Sequence, residues 1–457
     1  MKGMRTVSSF KRNFGFLVFA LSTCLVLSTP LVGSAEMHNL KAGAAKVDIT
    51  PKDFIGLVGE GVSSFQGTHD PIYARALVLD NGVNSTAIVS VDLNEIGNTL
   101  PLRERIAKEL AIPADHIMIA ATVNHDAPRS GPVTPGTPAA RENKPKTTQA
   151  YTQQVDESIV KALWQAKAAL QPARMGFANG AVDVAINRAS RDQKAWGGGP
   201  IEDGYVDKTV WVVKFEDLSG APIAILMNAA VHSNASAGSP DNNIAGDIAG
   251  VAEQYVEHQF KSKAVALWTM GAAADAYPKF SRKMDQSGDP DAGYKAQELM
   301  GSTVGAEVMT VAKAINNMTP VVNIAAAERA VPCALNQNYI NPGGHPGQGV
   351  VGGGPGGGPD LQPVNPGETL DIRMGLIRLN QFAITGVSGE LGSAIFVHLK
   401  KVSPFTNTIM VTASNDRDGY IPEDANWDRM QKVAFTKGCA EAVIVNNLAE
   451  MMNESFQ

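Results

Sequence analysis

The chain is poor in the residues that build disulfide scaffolds and short metal motifs. It has three cysteines in 457 residues, and no two of them form a CxxC pair, so neither a disulfide-rich fold nor a cysteine-based zinc motif is indicated. It also lacks the HExxH helix of zinc peptidases, the GxSxG turn of serine hydrolases and the glycine fingerprints of phosphate-binding loops. Any chemistry must therefore come from residues that are far apart in the sequence.

Long apolar runs are also scarce, and only residues 14–26 form a candidate targeting or membrane segment. This run follows four basic residues and precedes a small-residue cleavage sequence that ends at Ala35, which is the pattern of a secretory signal peptide. We therefore predict a signal peptide at 1–35 and a secreted or periplasmic mature chain from about residue 36. Acylation at Cys24 is the alternative.

Charged residues make up 18% of the chain, and acids outnumber bases. Removing residues 1–35 removes four basic and no acidic residues, which leaves 39 − 4 = 35 basic against 45 acidic residues, a net charge of −10. An acidic surface argues against nucleic acid as a partner, and no obligate protein partner is indicated. The mature chain keeps Cys333 and Cys439, and the sequence alone leaves open whether they are joined.

Apolar runs alternate with helical patterns along the chain. Because the runs lack strict polar alternation, they indicate strands that are buried on both faces. We predict an α/β fold with a mixed, largely parallel sheet covered by helices, one domain at 36–457, and a flexible Gly/Pro-rich loop at 341–366. The strand-like runs are 86–93, 117–122, 210–215, 223–232, 264–270, 382–390 and 408–416, and the helical patterns are 101–111, 148–170, 248–262 and 292–315.

Polar residues stand just beyond six of these apolar runs. In an open α/β sheet, the loops at the carboxyl ends of the strands converge on one crevice. A histidine, a carboxylate and a phenol from separate strand ends can bind Zn²⁺, which activates water for attack on an amide or ester. Each residue also has a structural interpretation, such as capping a turn or bonding a backbone carbonyl. The six residues are Asp92, His125, His232, Asp275, Glu390 and Tyr420.

Short stretches spread through nearly the whole mature chain carry a family pattern. They include "GTHDPIYARALVLDNG" at 67–82, "ATVNHDAP" at 121–128, "NAAVHSNA" at 228–235, "GAAADAYP" at 271–278, "ITGVSGE" at 384–390 and "SNDRDGYI" at 414–421. In their order and spacing these stretches resemble the amino-terminal catalytic domain of the neutral/alkaline non-lysosomal ceramidases. The family's carboxy-terminal immunoglobulin-like domain is expected to be absent, because the chain stops soon after the last stretch.

This resemblance implies an exported hydrolase of N-acyl amide bonds whose zinc ion is held by two histidines, a glutamate and a tyrosine. His232, Glu390 and Tyr420 match three of these ligands. The first histidine of the family's "THTHSGP"-like motif is Val123 here, and only the second remains, as His125. Either His125 completes the zinc site, or the metal is lost and the protein is a catalytically degenerate ligand-binding protein.

The resemblance also suggests catalytic roles. His125 would act as proton donor, Arg188 of "INRAS" and Tyr420 would stabilise the oxyanion, and Asp275 would belong to the same site. The family often has a serine where this chain has Tyr277. The expected substrate is a small-molecule or lipid N-acyl compound, which is compatible with contact at a membrane surface. The further pocket candidates are His69, Asp92, Asn124 and Tyr277.

Overall fold

The computed structural model describes most of the predicted domain. The predicted signal peptide at 1–35 and the Gly/Pro-rich loop at 341–366 lie outside the described residues. Within the described part of the chain, no helix is long and apolar enough to cross a membrane. The described residues are 39–54, 56–59, 62–130, 146–189, 196–201, 204–336, 367–416, 418–429 and 433–456.

Strands and helices alternate along the chain. The strands are β1 (Lys41–Asp48), β2 (Gly67–Thr68), β3 (Tyr73–Asp80), β4 (Ser85–Val91), β5 (Ile117–Ala121), β6 (Gln171–Ala181), β7 (Ala185–Ala189), β8 (Trp196–Ile201), β9 (Thr209–Asp217), β10 (Pro222–Ala229), β11 (Asn243–Ile244), β12 (Val265–Met270), β13 (Ala276–Pro278), β14 (Ile324–Ala334), β15 (Thr369–Leu379), β16 (Phe382–Val387), β17 (Glu390–Leu391), β18 (Asn407–Val411) and β19 (Tyr420–Ile421). The α-helices are α1 (Leu100–Leu110), α2 (Lys146–Ala168), α3 (Asp247–Gln259), α4 (Ala292–Ala314), α5 (Ser393–Val402) and α6 (Ala440–Glu454).

Two sheets form the centre of the molecule. The larger has eight strands in the order β12-β10-β9-β6-β1-β3-β4-β5, and the smaller has four in the order β14-β15-β16-β18. Only β10/β12, β4/β5 and β16/β18 pair in parallel, while the other neighbours in these two sheets are antiparallel. The prediction of a mixed α/β fold is confirmed, but the prediction that it is largely parallel is wrong.

Both faces of each of the two sheets are covered, which explains the apolar runs without parallel strands. Helices α1 to α4 pack on one face of the larger sheet, and α5 and α6 pack on the outer face of the smaller sheet. The remaining faces of the two sheets pack against each other. In β4, Val89 faces the helices and Ile88 faces the second sheet, so both side chains are fully buried. Continuous apolar runs therefore arise here without a parallel sheet.

Backbone hydrogen bonds tie together the carboxyl ends of the three parallel pairs. The amide of Thr412, just after β18, donates to Met270 at the end of β12 at 3.0 Å. The amide of Ala121, at the end of β5, donates to Ala413 at 3.1 Å. The residues that follow β5, β10, β12, β16 and β18 are thereby held at one edge of the two sheets.

A buried ion cluster lies between the larger sheet and α3. Nη1 of Arg75 on β3 is 2.7 Å from Asp92 and 2.6 Å from Glu253, and Nε is 3.4 Å from Glu257. Lys46 pairs with Glu257 at 2.5 Å. Although burial alone would lower the pKa of Arg75, the carboxylates, Asp92 first, raise it. Asp92, which the sequence suggested as a pocket residue, is an ion-pair partner in the core.

Replacing Arg75 with methionine should destabilise the fold by roughly 3–5 kcal/mol, because buried carboxylates would lose their counter-charge. Urea unfolding followed by circular dichroism measures this change. The matched control is Arg105→Met, which breaks a surface ion pair with Glu109. The side chains of Arg105 and Glu109 are 41% and 34% exposed, so losing the pair should change stability little. Equal effects of the two substitutions would contradict the assignment of Arg75 as a core cation.

Glu253→Gln tests the charge balance of the same cluster. Burial, followed by the charge of Asp92, raises the pKa of Glu253 well above 4.5 despite the opposing effect of Arg75. The folded state therefore prefers the protonated acid, and wild-type stability should fall as the pH rises from 4.5 through the folded pKa. The variant should become progressively more stable than wild type over this range. A difference in unfolding midpoint that does not change with pH would refute this account.

Candidate functional site

The centre of the candidate site is a histidine and a glutamate that contact each other from two sheets. His232 follows β10 and is fully buried, and Glu390 begins β17, just after β16. His232 Nε2 lies 2.8 Å from Glu390 Oε2, and His232 Nδ1 lies 3.1 Å from the carbonyl oxygen of Ala276. A carbonyl oxygen can only accept, so Nδ1 must carry a proton.

The protonation of this pair is set by its surroundings. Burial and then the charge of Arg188 lower the pKa of His232, despite the attraction of Glu390. Burial alone would raise the pKa of Glu390, but the hydrogen bond to His232 and the nearby cations lower it overall. Both shifts rest on the same contact, in which Nε2 either carries a proton and donates it to the carboxylate, or presents a lone pair and shares a cation with it.

Arg188 on β7 supplies a fixed positive charge next to this pair. Its Nη2 lies 3.5 Å from His232 Nε2 and donates to the Tyr420 hydroxyl at 3.0 Å. Tyr420 begins β19 and lies directly beside Glu390 in the parallel β17/β19 pair. Burial would lower the pKa of Arg188, but the charges of Tyr420 and Glu390 raise it, so the guanidinium stays charged. The structure thus brings His232, Glu390, Arg188 and Tyr420 together.

The turn after β5 places His125 beside His232. The two imidazole centroids are 5.6 Å apart with a 50° tilt. The His125 amide donates to Ser233 at 3.0 Å, and the Asn124 side chain donates to Ala245 at 2.7 Å. Asn124 thus anchors the turn. In the described ranges, no group of three His, Cys, Asp or Glu side chains is arranged to hold a metal ion, so His125 does not form such a group with His232 and Glu390.

Val123 occupies an unusual backbone conformation in this turn. It is fully buried and has φ = 56°, in the left-handed region that β-branched residues avoid. Backbone bonds from the neighbouring residues hold it there, including the one from the Asn124 amide to Leu93 at 3.0 Å. This backbone conformation of Val123 is therefore imposed by the surrounding fold, against the preference of valine.

Asp275 flanks the site from the β12–β13 turn, and Tyr277 flanks it from β13. Asp275 accepts from the amide and hydroxyl of Ser393 at 2.9 and 2.5 Å, so it caps the first turn of α5. Burial raises its pKa. The Tyr277 ring lies 5.1 Å from the Arg188 guanidinium carbon. Asp275 positions α5, whereas Tyr277 contacts the site itself.

His69 lies in a different place from the other candidates. It stacks on Tyr294 with centroids 3.8 Å apart and is 2.9 Å from Asp70. His69 and Tyr294 border an open groove of about 650 Å³ that is also lined by Asp241 and Lys295.

One polar cluster beside the site was missed by the sequence analysis. Ser236 Oγ lies 2.6 Å from Asp126, 2.9 Å from Asp247 and 2.6 Å from the side-chain oxygen of Gln297. Burial, then the charge of Asp247, raises the pKa of Asp126 well above its usual value. The adjacency of Asp126 to His125 was the one available signal, because the other three residues come from distant parts of the chain.

The two cysteines of the mature chain are joined. Cys333 at the end of β14 and Cys439 at the start of α6 form a disulfide across 106 residues. It connects the smaller sheet to the helix that covers it. This settles the pairing that the sequence left open.

Comparison with known proteins shows the family to which this chain belongs. The chain belongs to the neutral/alkaline non-lysosomal ceramidases, whose N-terminal domain matches residues 40–337, more than half of the chain. The matched residues include His125, Arg188 and His232, and they end before Glu390 and Tyr420. A sequence search of curated proteins found no match.

Solved structures extend the likeness over nearly the whole chain. Neutral ceramidase from Pseudomonas aeruginosa superimposes with a TM-score of 0.70 at 18% identity, covering 92% of this chain and 75% of that one. A ceramidase complexed with C2 gives a TM-score of 0.73 at 18% identity, covering 91% and 75%. At this identity the likeness shows a shared fold.

Val123→His should increase the affinity of the site for zinc, because it adds an imidazole at the position where the resembled family has its first histidine ligand. Zinc should raise the Tm of the variant more than that of wild type, and a chelator should reverse the effect. Val123→Asn is the matched control, since asparagine tolerates the left-handed backbone but brings no imidazole. Equal zinc responses of the two variants would argue against a ligand position here.

Proposed function

We propose that this protein hydrolyses the amide bond of N-acyl compounds of the ceramide type outside the cytoplasm. The observation that carries the proposal is the 2.8 Å contact of His232 with Glu390, flanked by Arg188 and Tyr420, in a chain of the ceramidase family. Hydrolysis of an amide needs an activated water, donors for the oxyanion and a proton for the leaving amine. These residue types can meet all three needs.

The donor set fits a zinc ion. His232 Nε2, Glu390 and Tyr420 offer one nitrogen and two oxygen donors, and catalytic zinc sites commonly use three protein ligands. His232 already donates its other ring N–H to a carbonyl, which is the usual support of a metal-binding histidine. When bound, zinc would polarise the acyl carbonyl and acidify the attacking water. Val123 removes one family ligand but leaves this three-residue set.

The remaining residues would handle charge and protons. Arg188 would donate to the oxygen of the former carbonyl, and a donor of this kind typically contributes about 3–4 kcal/mol to the transition state. His125, with its ring 5.6 Å from that of His232, would pass a proton to the leaving amine. Ala274 would keep Arg188 in place, because its carbonyl accepts from Nε and Nη2 at 3.2 and 3.1 Å.

Two observations support an exported protein that acts on a lipid. The Cys333–Cys439 disulfide agrees with an oxidising compartment and with the predicted signal peptide. A ceramidase of the same fold has been solved in complex with C2. An N-acyl lipid would be met at a membrane surface, and simpler N-acyl compounds remain alternatives within the same reaction class.

The direct test measures zinc content and turnover of fluorescent ceramide and of simple acyl amides by the purified mature protein. Glu390→Gln should lose zinc, whereas Arg188→Lys should keep zinc but reduce kcat by about 100-fold. Glu109→Gln is the control, since Glu109 pairs with the exposed Arg105 away from the site. A zinc-loaded wild type that turns over neither substrate class would eliminate the hydrolase proposal.

A second candidate function, a catalytically degenerate ligand-binding protein, is favoured by one observation. Val123 is buried and apolar at the position of the family's first ligand, and it keeps an unfavourable backbone angle there. This alternative expects purified protein without stoichiometric zinc and a Tm that does not respond to a chelator. In that case Val123→His would restore zinc binding without restoring turnover.

A further inference from the structure

The guanidinium of Arg188 is held by hydrogen bonds at Nε and Nη2, and it lies over two tyrosine rings. Nε and Nη2 both donate to the Ala274 carbonyl, at 3.2 and 3.1 Å, and Nη2 also donates to Tyr420 at 3.0 Å. The rings of Tyr277 and Tyr420 lie 5.1 and 5.5 Å from its central carbon. These contacts leave Nη1 without a hydrogen-bond acceptor among the described residues.

The Tyr277 ring comes from the strand next to the one that carries Arg188. In the antiparallel β13/β7 pair, Tyr277 lies opposite Ile186, and Ala276 lies opposite Asn187. The Arg188 amide also donates to the Asp275 carbonyl at 2.9 Å, which continues the contact between the two segments. The backbone of Tyr277 is therefore fixed by the pairing of β13 with β7.

The Tyr277 ring restricts a tilt of the Arg188 guanidinium that its hydrogen bonds still allow. The arginine side chain has several rotatable bonds, and its hydrogen bonds to Ala274 and Tyr420 all start from Nε and Nη2, so the guanidinium can still tilt about the line that joins these two atoms. An aromatic face covering the cation opposes this tilt, because the attraction is greatest when the cation lies over the ring. The direction of Nη1 is thereby fixed as well.

We propose that Tyr277 is a positioning residue, whose ring clamps the Arg188 guanidinium in the orientation that keeps Nη2 beside Tyr420 and His232 and leaves Nη1 to bind a carbonyl or carboxylate oxygen of a ligand. A serine, which the resembled family often has at this position, has no ring and could not do this. The catalytic consequence rests on the proposed function, but the clamp itself does not.

The test compares Tyr277→Phe, which keeps the ring, with Tyr277→Leu, which removes it, in the purified mature protein. The first readout is hydrogen exchange of the Arg188 Nε–H in ¹⁵N NMR spectra, with the resonance assigned by its loss in Arg188→Lys. Exchange should be about tenfold faster in the leucine variant and unchanged in the phenylalanine variant. If the leucine variant does not fold, as judged by circular dichroism, Tyr277→Ser takes its place.

The second readout is turnover of the acyl amide. The leucine variant should lose about tenfold in kcat with little change in KM, and the phenylalanine variant should stay close to wild type. Tyr73→Leu is the matched control, because Tyr73 covers Arg75 in the same way, 4.9 Å from its guanidinium carbon and in the ion cluster of the core. It should leave the Arg188 resonance and kcat unchanged.

The outcomes distinguish the proposed Tyr277 clamp from the proposed hydrolase activity. Unchanged Arg188 exchange in the leucine variant would overturn the clamp, and so would equal losses in the phenylalanine and leucine variants. If wild type shows no turnover but exchange responds as expected, the clamp stands and the hydrolase proposal fails. If wild type is active and kcat falls with the ring while exchange accelerates, both are supported.

Discussion

One contact constrains the chemistry of the whole site. Because His232 gives its Nδ1 proton to Ala276, Nε2 is the nitrogen that faces the Glu390 carboxylate, at 2.8 Å. A largely buried carboxylate needs positive charge nearby. Arg188 provides one such charge, and either a proton on Nε2 or a divalent cation beside it would provide another. The fold must therefore hold cationic and anionic groups close together.

The architecture meets this requirement through its few parallel strand pairs. Residues after β5, β10, β12, β16 and β18 share one edge because their strands run in the same direction there, although most of each sheet is antiparallel. The sequence could predict which residues stand at the ends of apolar runs, and for His232, Glu390 and Tyr420 this was enough to place them near one another. It could not predict strand direction, because a sheet packed on a second sheet and a sheet covered by helices produce the same apolar runs.

For other residues, a polar side chain after an apolar run did not reveal its partner in the structure. Asp92 and Asp275 also follow apolar runs, but one balances Arg75 in the core and the other caps α5. A carboxylate at a strand end has the same appearance in the sequence whether its partner is a metal, an arginine or a helix terminus. Ser236 and Asp247, the partners of Asp126, and Gln297, which contacts Ser236, lie 110 or more residues from Asp126, and no local pattern joins them.

The two departures from the family pattern affect the site in different ways. Replacing a histidine with Val123 removes a neutral ligand, so the balance between Glu390 and Arg188 stays as it was. A zinc ion could still use three protein ligands, which is the usual number when one position must stay open for substrate. Tyr277, by contrast, adds a π face directly against Arg188 and so acts on the group that would bind the oxyanion. In the proposed reaction, the first change would weaken the hold on zinc, while the second would restrict the movement of an oxyanion donor.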